Sequence, residues 1–140
     1  MKYRTDYELT HDIDFFFKYN GKYYHAASNG QRLPKVIDSS NNRLLQMKIE
    51  QLPATYDVVW SPASERLSKE YDFTSFEFFA ERGFISLDCL FEENESASYL
   101  LYIVVARTAE EPDFSLYDEV IINNIPTIDI NDEYIFINDF

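Results

Sequence analysis

The sequence predicts an α+β fold: a mainly antiparallel sheet of about five or six strands with two or three short helices, in a single domain spanning residues 1–140. Three observations support this prediction. The chain has 140 residues, of which 46% are apolar, enough for one hydrophobic core. Twelve Phe and eleven Tyr make that core largely aromatic. Only three Gly are present, which argues against an all-β protein with many tight turns.

The first predicted element is a β-hairpin centred on the Asn-Gly pair at positions 20 and 21. The pair separates aromatic-rich segments at residues 13–19 and 22–27, and both positions of a two-residue hairpin loop need positive φ. This turn places Phe16 opposite His25. Because side chains alternate along a strand, one face is expected in the core. That face comprises Ile13, Phe15, Phe17, Tyr19, Tyr24 and Ala26.

The second face of the hairpin is more polar but includes two aromatic residues, Phe16 and Tyr23. These rings are either covered by a helix or exposed as a contact patch. Coverage by a helix is favoured, because small α+β domains pack helices on one face of the sheet.

The segments between residues 28 and 83 supply most of the predicted helices. Residues 28–42 are expected to form mostly loop, and residues 44–52 fit both periodicities, with residue types that favour a helix over a strand. Residues 56–60 form a short strand. A helix is expected to begin at Ser61-Pro62 and to end near residue 71. Another begins at Thr74, buries an apolar face and ends at Gly83.

The last part of the chain is predicted to return to strands. Residues 84–91 alternate as a half-buried strand, and residues 99–106 are continuously apolar, as in a central strand, so the two should pair antiparallel. Residues 116–122 form a short helix or strand. Residues 127–130 and 133–137 are expected to be strands flanking a turn.

Charge and targeting signals restrict the classes of partner. The formal net charge is −13. Residues 1–54 are nearly neutral, whereas residues 55–140 carry nineteen acidic and four basic side chains. Such a field repels phosphate backbones and anionic lipids, so direct binding to nucleic acid or membranes is not expected. No apolar run is long enough for a membrane-spanning helix, and the N-terminal residues do not resemble a signal peptide, so we expect a cytoplasmic protein.

One candidate for chemistry lies on the polar face of the hairpin. The predicted register places Asp12, Asp14 and His25 on this face, and two carboxylates with an imidazole can bind a divalent metal or transfer a proton. The alternative is a solvent-facing polar strip in which Asp14 only orients His25.

Other catalytic or cofactor signals are weak. Cys89, the only cysteine, falls on the apolar face of its strand, which predicts a buried, inert thiol. Residues 129–133 bring oxygen ligands together as a calcium loop does, but Tyr134 occupies the position that requires Gly. Glycine-rich phosphate or dinucleotide motifs and nucleophile elbows are absent from the sequence, so no cofactor is expected and an enzyme is less favoured than a binding protein.

Two acidic clusters are the candidate partner-binding residues, and both lie in predicted connections. They serve either solubility or the binding of a basic protein, and the two interpretations are evenly balanced. The clusters are Glu92, Glu93 and Glu95, and then Glu110, Glu111 and Asp113.

Three functions therefore follow from the sequence. The first is a non-enzymatic acidic module that binds a basic protein, as an inhibitor or immunity-type protein neutralises its target. The second is a small metal-binding protein or enzyme that uses Asp12, Asp14 and His25. The third is a homo-oligomeric structural or assembly protein whose edge strands and aromatic residues provide contacts, so self-association stays open.

Overall fold

A computed structural model describes residues 1–62, 74–89, 100–130 and 135–137 of the chain. Within these residues, six strands form one sheet: β1 Asp14–Tyr19, β2 Lys22–Ala27, β3 Val58–Trp60, β4 Ile85–Cys89, β5 Leu100–Thr108 and β6 Ile135–Ile137. The strand order is β1-β2-β4-β5-β3, and β6 also pairs with β5. Only the pairing of β2 with β4 is parallel within this described sheet. The predicted α+β class with a mainly antiparallel sheet is therefore confirmed.

The sequence predicts two or three short helices, and the described residues include four α-helices. They are α1 Thr5–Thr10, α2 Ser39–Glu50, α3 Thr74–Ala80 and α4 Glu119–Asn124, and a 3-10 turn spans Phe114–Leu116. The helix predicted from Ser61 to residue 71 falls mostly on residues 63–73, outside the described residues. None of the helices in the described ranges is long and apolar enough to cross a membrane.

The predicted hairpin is confirmed in both turn and register. Asn20 and Gly21 have φ values of 50° and 75°, as the two-residue turn requires. Phe16 pairs with His25 and Asp14 with Ala27. The expected core face packs into an aromatic cluster with β4 and β5.

The second face of the hairpin is covered by helices, as expected. Phe16 and Tyr23 are buried in one cluster with Leu45 and Ile49 of α2, and side chains of α3 and α4 belong to the same cluster. The middle of this face, at Phe16, Tyr23 and His25, is therefore buried, whereas Asp12 at its end is exposed.

The segment that fitted both periodicities is helical. Helix α2 begins at Ser39, within the segment predicted as loop, because the Asp38 side chain caps it by accepting from the Asn41 amide at 2.8 Å. The two apolar residues that define its buried face, Leu45 and Ile49, are fully buried.

Helix α3 and the strands that follow it agree closely with the prediction. Thr74 begins the helix, Phe76 and Phe79 are buried, and Gly83 after its end has φ of 96°. Strands β4 and β5 pair antiparallel, with a bulge between Ser86 and Leu87.

The predicted strand at residues 127–130 is wrong. Thr127 makes only an isolated bridge with Lys18 of β1, whereas β6 pairs with β5. Residues 127 and 135 therefore contact different strands of the sheet. The turn expected between them falls on residues 131–134, outside the described residues.

Candidate functional site

A series of polar contacts begins at Asp14, the first residue of β1, and joins side chains of the three adjacent strands β1, β2 and β4. Asp14 Oδ1 lies 2.7 Å from His25 Nε2, and His25 Nδ1 lies 3.1 Å from Ser86 Oγ. The Ser86 hydroxyl also donates to the Phe76 carbonyl at 3.0 Å. Because an ionised carboxylate only accepts, Nε2 donates to Asp14. The arrangement has the residue types of a Ser-His-Asp triad.

Because Ser86 is fully buried, its hydroxyl cannot act as a nucleophile on a substrate in this structure. His25 and Ser86 have no exposed surface, whereas the Asp14 side chain is 28% exposed. The His25 ring packs against Phe79 with a centroid separation of 4.2 Å. Of these three side chains, only the Asp14 carboxylate is therefore accessible to a substrate. The sequence interpretation of a solvent-facing strip is wrong for His25, although Asp14 does orient its ring.

Asp12 lies apart from the contact between Asp14 and His25. Its carboxylate is exposed and accepts from the Asn29 backbone amide at 2.8 Å. No three His, Cys, Asp or Glu side chains in the described ranges form a group suited to a metal ion. Both nitrogens of His25 have hydrogen-bonding partners, so neither offers a free lone pair to a metal. The metal site at Asp12, Asp14 and His25 stays a prediction.

Asp88 is a buried titratable residue that is not among the candidates predicted from the sequence. It is buried on β4, and the pKa of its carboxyl is raised to about 6, chiefly by burial and then by the nearby charge of Asp12, while the hydrogen bond from the Cys89 amide lowers it. The signal was present in the sequence, because Ser86 and Asp88 place polar side chains at alternate positions of a strand with a buried neighbour on each side.

We expect Asp88→Asn to stabilise the protein at pH 7.5. The folded state holds the Asp88 proton more tightly than the unfolded chain does, so this contribution is present below pH about 4 and is lost as the pH rises through about 6. The variant should gain about 1–3 kcal/mol of unfolding free energy at pH 7.5 and almost none at pH 4, measured by urea denaturation.

The control for this prediction is Asp129→Asn, which removes one exposed carboxylate. Its unfolding free energy should follow that of the wild type across the same pH range. An Asp88→Asn gain that is equal at pH 4 and pH 7.5 would rule out a titration effect.

Cys89 is buried on the apolar face of β4, as the strand pattern predicts. It neighbours Tyr102, whose pKa is raised well above its usual value, chiefly by burial and then by the Cys89 charge. A buried thiol in apolar surroundings is a poor nucleophile.

A groove of about 470 Å³ lies where the β1–β2 turn, β3 and the segment after β5 meet, and we call it the sheet-end groove. Two of the predicted partner-binding residues, Glu110 and Glu111, line it and are exposed. Val59 of β3 also lines it and is 38% exposed. The remaining lining includes Lys22, Tyr23, Ile85, Arg107, Pro112 and Phe114.

The other acidic residues of the sequence prediction are placed differently. Asp113 caps the 3-10 turn, because its carboxylate accepts from the Ser115 amide at 3.1 Å and from the Ser115 hydroxyl at 2.6 Å. These hydrogen bonds lower the Asp113 pKa. Asp113 does not line the sheet-end groove. Glu92, Glu93 and Glu95 lie outside the described residues.

Comparison with protein-family models gave no match, and comparisons with curated proteins and with solved structures gave none either. Functional inference therefore rests on the geometry and charge of this chain.

Proposed function

We propose that the protein is a non-enzymatic module that binds a basic partner protein through the sheet-end groove. The observation that carries the proposal is the presence of Glu110 and Glu111 beside exposed apolar surface in one groove. A long basic side chain has an apolar stem and a cationic head, so it matches a groove of this composition.

The apolar surface of the groove favours a protein partner over a purely ionic one. Val59 and the half-buried Phe114 both line the groove, and Trp60 next to Val59 is 40% exposed. Exposed aromatic and aliphatic side chains beside charged ones are typical of protein interfaces, in which apolar contacts supply most of the binding energy.

The groove also contains two cations, which restrict the orientation of a partner. Lys22 follows the hairpin turn, and Arg107 lies on β5 opposite Val59. Basic side chains of a partner are therefore expected next to Glu110 and Glu111, and an acidic or neutral residue next to Lys22. The net charge of −13 adds long-range attraction for a basic protein.

The test is an affinity pull-down from native lysate at low and moderate salt, with the double variant Glu110→Gln and Glu111→Gln. We expect the wild type to capture a basic protein at low salt, and the variant to bind it about five- to tenfold more weakly, because two opposing charges are lost. Moderate salt should weaken wild-type binding, since exposed charges are screened.

A matched control removes two exposed acids outside the groove, Glu119→Gln and Asp129→Asn. This control should capture the same protein as the wild type. Equal capture by the groove variant, or binding that is insensitive to salt, would contradict the proposal.

A further inference from the structure

We propose that a second cleft, between α2 and α3, binds an alkylammonium group, the chemistry of a small primary amine or of a lysine side chain. The cleft has a volume of about 510 Å³ and is separate from the sheet-end groove, so the inference goes beyond the proposed function. Its lining includes Asp14, Gln46, Glu50, Ser75, Phe78 and Phe79.

The charge of the cleft favours a cation. Among the described residues, its lining contains two carboxylates, Asp14 and Glu50, and no Lys or Arg. The guanidinium carbon of Arg82 lies 3.5 Å from the centre of the ring of Phe78, which lines the cleft. Arg82 donates to the carbonyl oxygens of Leu52 and Phe78, so its N–H groups serve the backbone. Its charge offsets part of that of Glu50, which leaves Asp14 as the stronger attraction.

Apart from the Ser75 hydroxyl and the second N–H of Gln46, the polar side-chain atoms of Asp14, Gln46 and Glu50 that remain in the cleft are acceptors. Asp14 Oδ1 accepts from His25, which leaves Oδ2. Gln46 Nε2 donates to Glu50 Oε1 at 3.1 Å, which leaves Gln46 Oε1 and Glu50 Oε2. Within the described part of the chain, three side-chain oxygens are thus left to accept hydrogen bonds. An ammonium group has three donors and no acceptor.

The same inventory favours an ammonium over a guanidinium. A guanidinium binds best when its planar fork meets both oxygens of one carboxylate. Asp14 and Glu50 each already use one oxygen in an internal hydrogen bond. A compact charge that contacts one oxygen from each of several side chains fits this arrangement better.

Aromatic rings provide a surface for the alkyl stem. Phe79 is buried and Phe78 half-buried at the wall of the cleft, and their rings meet edge to face at 5.1 Å. A methylene chain gains apolar contact on such rings, and an ammonium near their faces gains a cation–π interaction.

Asp14 is positioned before any ligand binds. Its carboxylate is held by His25, which is itself fixed by Ser86 and by packing against Phe79. An acceptor that is already oriented loses little conformational entropy on binding. This gives the buried His25 chain a role in positioning, while the ligand contacts only the Asp14 end.

The experiment is a titration of the full-length ¹⁵N-labelled protein with n-butylamine at pH 7, followed by NMR. We expect saturable shifts of the Gln46 and Ser75 amides, and no saturable shift with n-butanol, which matches the probe in shape but lacks its charge. Asp14→Asn should weaken binding about tenfold or more, because a charged hydrogen bond is lost. Glu50→Gln should weaken it about threefold.

Glu50 is exposed, so Glu50→Gln tests the inference even if Asp14→Asn disturbs the fold. The control Asp129→Asn should bind like the wild type. Equal shifts with n-butanol, no saturation with n-butylamine, or unchanged affinity in Glu50→Gln would overturn the inference. None of these results depends on a protein partner, so this inference and the proposed function fail independently.

The source of the ammonium is distinguished by a blocked peptide with one lysine, compared with the same peptide carrying norleucine. If the lysine peptide binds at least about tenfold more tightly than n-butylamine, the ligand is a protein side chain. If n-butylamine binds as tightly or better, the ligand is a small amine. Both results support an alkylammonium site, whereas saturable binding of the lysine and norleucine peptides with the same affinity contradicts it.

Discussion

Replacing His25 with alanine is expected to lower the free energy of unfolding by about 3–5 kcal/mol. The substitution removes a fully buried ring that packs against Phe79 and leaves a cavity. It also removes the hydrogen bonds to Asp14 and Ser86. Urea denaturation at pH 7 measures the loss.

Two further variants separate packing from hydrogen bonding. His25→Phe keeps an aromatic ring but loses both hydrogen bonds, so we expect a smaller loss of about 1–3 kcal/mol. His11→Ala changes the other histidine, which is exposed, and should cost less than about 1 kcal/mol. If His25→Ala costs no more than His11→Ala, the buried polar chain does not stabilise the fold.

Gly83→Ala is expected to destabilise the protein by about 2–4 kcal/mol. Gly83 has φ of 96°, which disfavours any side chain, and an added Cβ would overlap the Tyr117 hydroxyl and lie 3.0 Å from Pro112 Cβ. The Tyr117 hydroxyl donates to the Arg82 carbonyl, so it cannot move without losing that bond. Thermal and urea unfolding both measure the effect.

Gly21→Ala is the matched control for Gly83→Ala. Gly21 also has positive φ, 75°, but an added Cβ there meets no atom within 4 Å. Only the conformational cost remains, about 1–2 kcal/mol. Combining Gly83→Ala with Tyr117→Phe should cost less than the sum of the two single changes, because the overlapping hydroxyl is gone. Additive losses would show that the overlap is relieved by other movements.

The hairpin was predictable because its determinants are local. The Asn-Gly turn at positions 20 and 21 sets the register, and the register alone places Asp14 near His25. The limits of α3 were predictable for the same reason, since Thr74 is its first residue and Gly83, three residues after its last residue Ala80, has positive φ.

Features that depend on contacts distant in sequence were not predictable from periodicity. Ser86 meets His25 across 61 positions because β2 pairs in parallel with β4. Helix α1 has no side-chain cap, and its buried Glu8 accepts from the Leu33 amide at 3.1 Å, so tertiary contact stabilises it without a local signal.

The errors near the C-terminus have the same origin. The apolar residues at 127–130 alternate with polar ones as strand residues do, but Thr127 bridges Lys18, while Ile128 is buried against the core. Alternating burial without a strand partner gives the same sequence pattern as a strand.

The measurement that tests the central claim most directly uses the backbone amides of Val59 and Ala109, which both line the sheet-end groove. Their NMR chemical shifts in the ¹⁵N-labelled protein are followed as a lysine- and arginine-rich peptide is added at low and moderate salt. We predict a saturable change that weakens with salt, weakens further in the Glu110→Gln and Glu111→Gln variant, and persists in the Glu119→Gln and Asp129→Asn control. The same curve for wild type and groove variant, or no saturable change, would contradict binding of a basic partner at this groove.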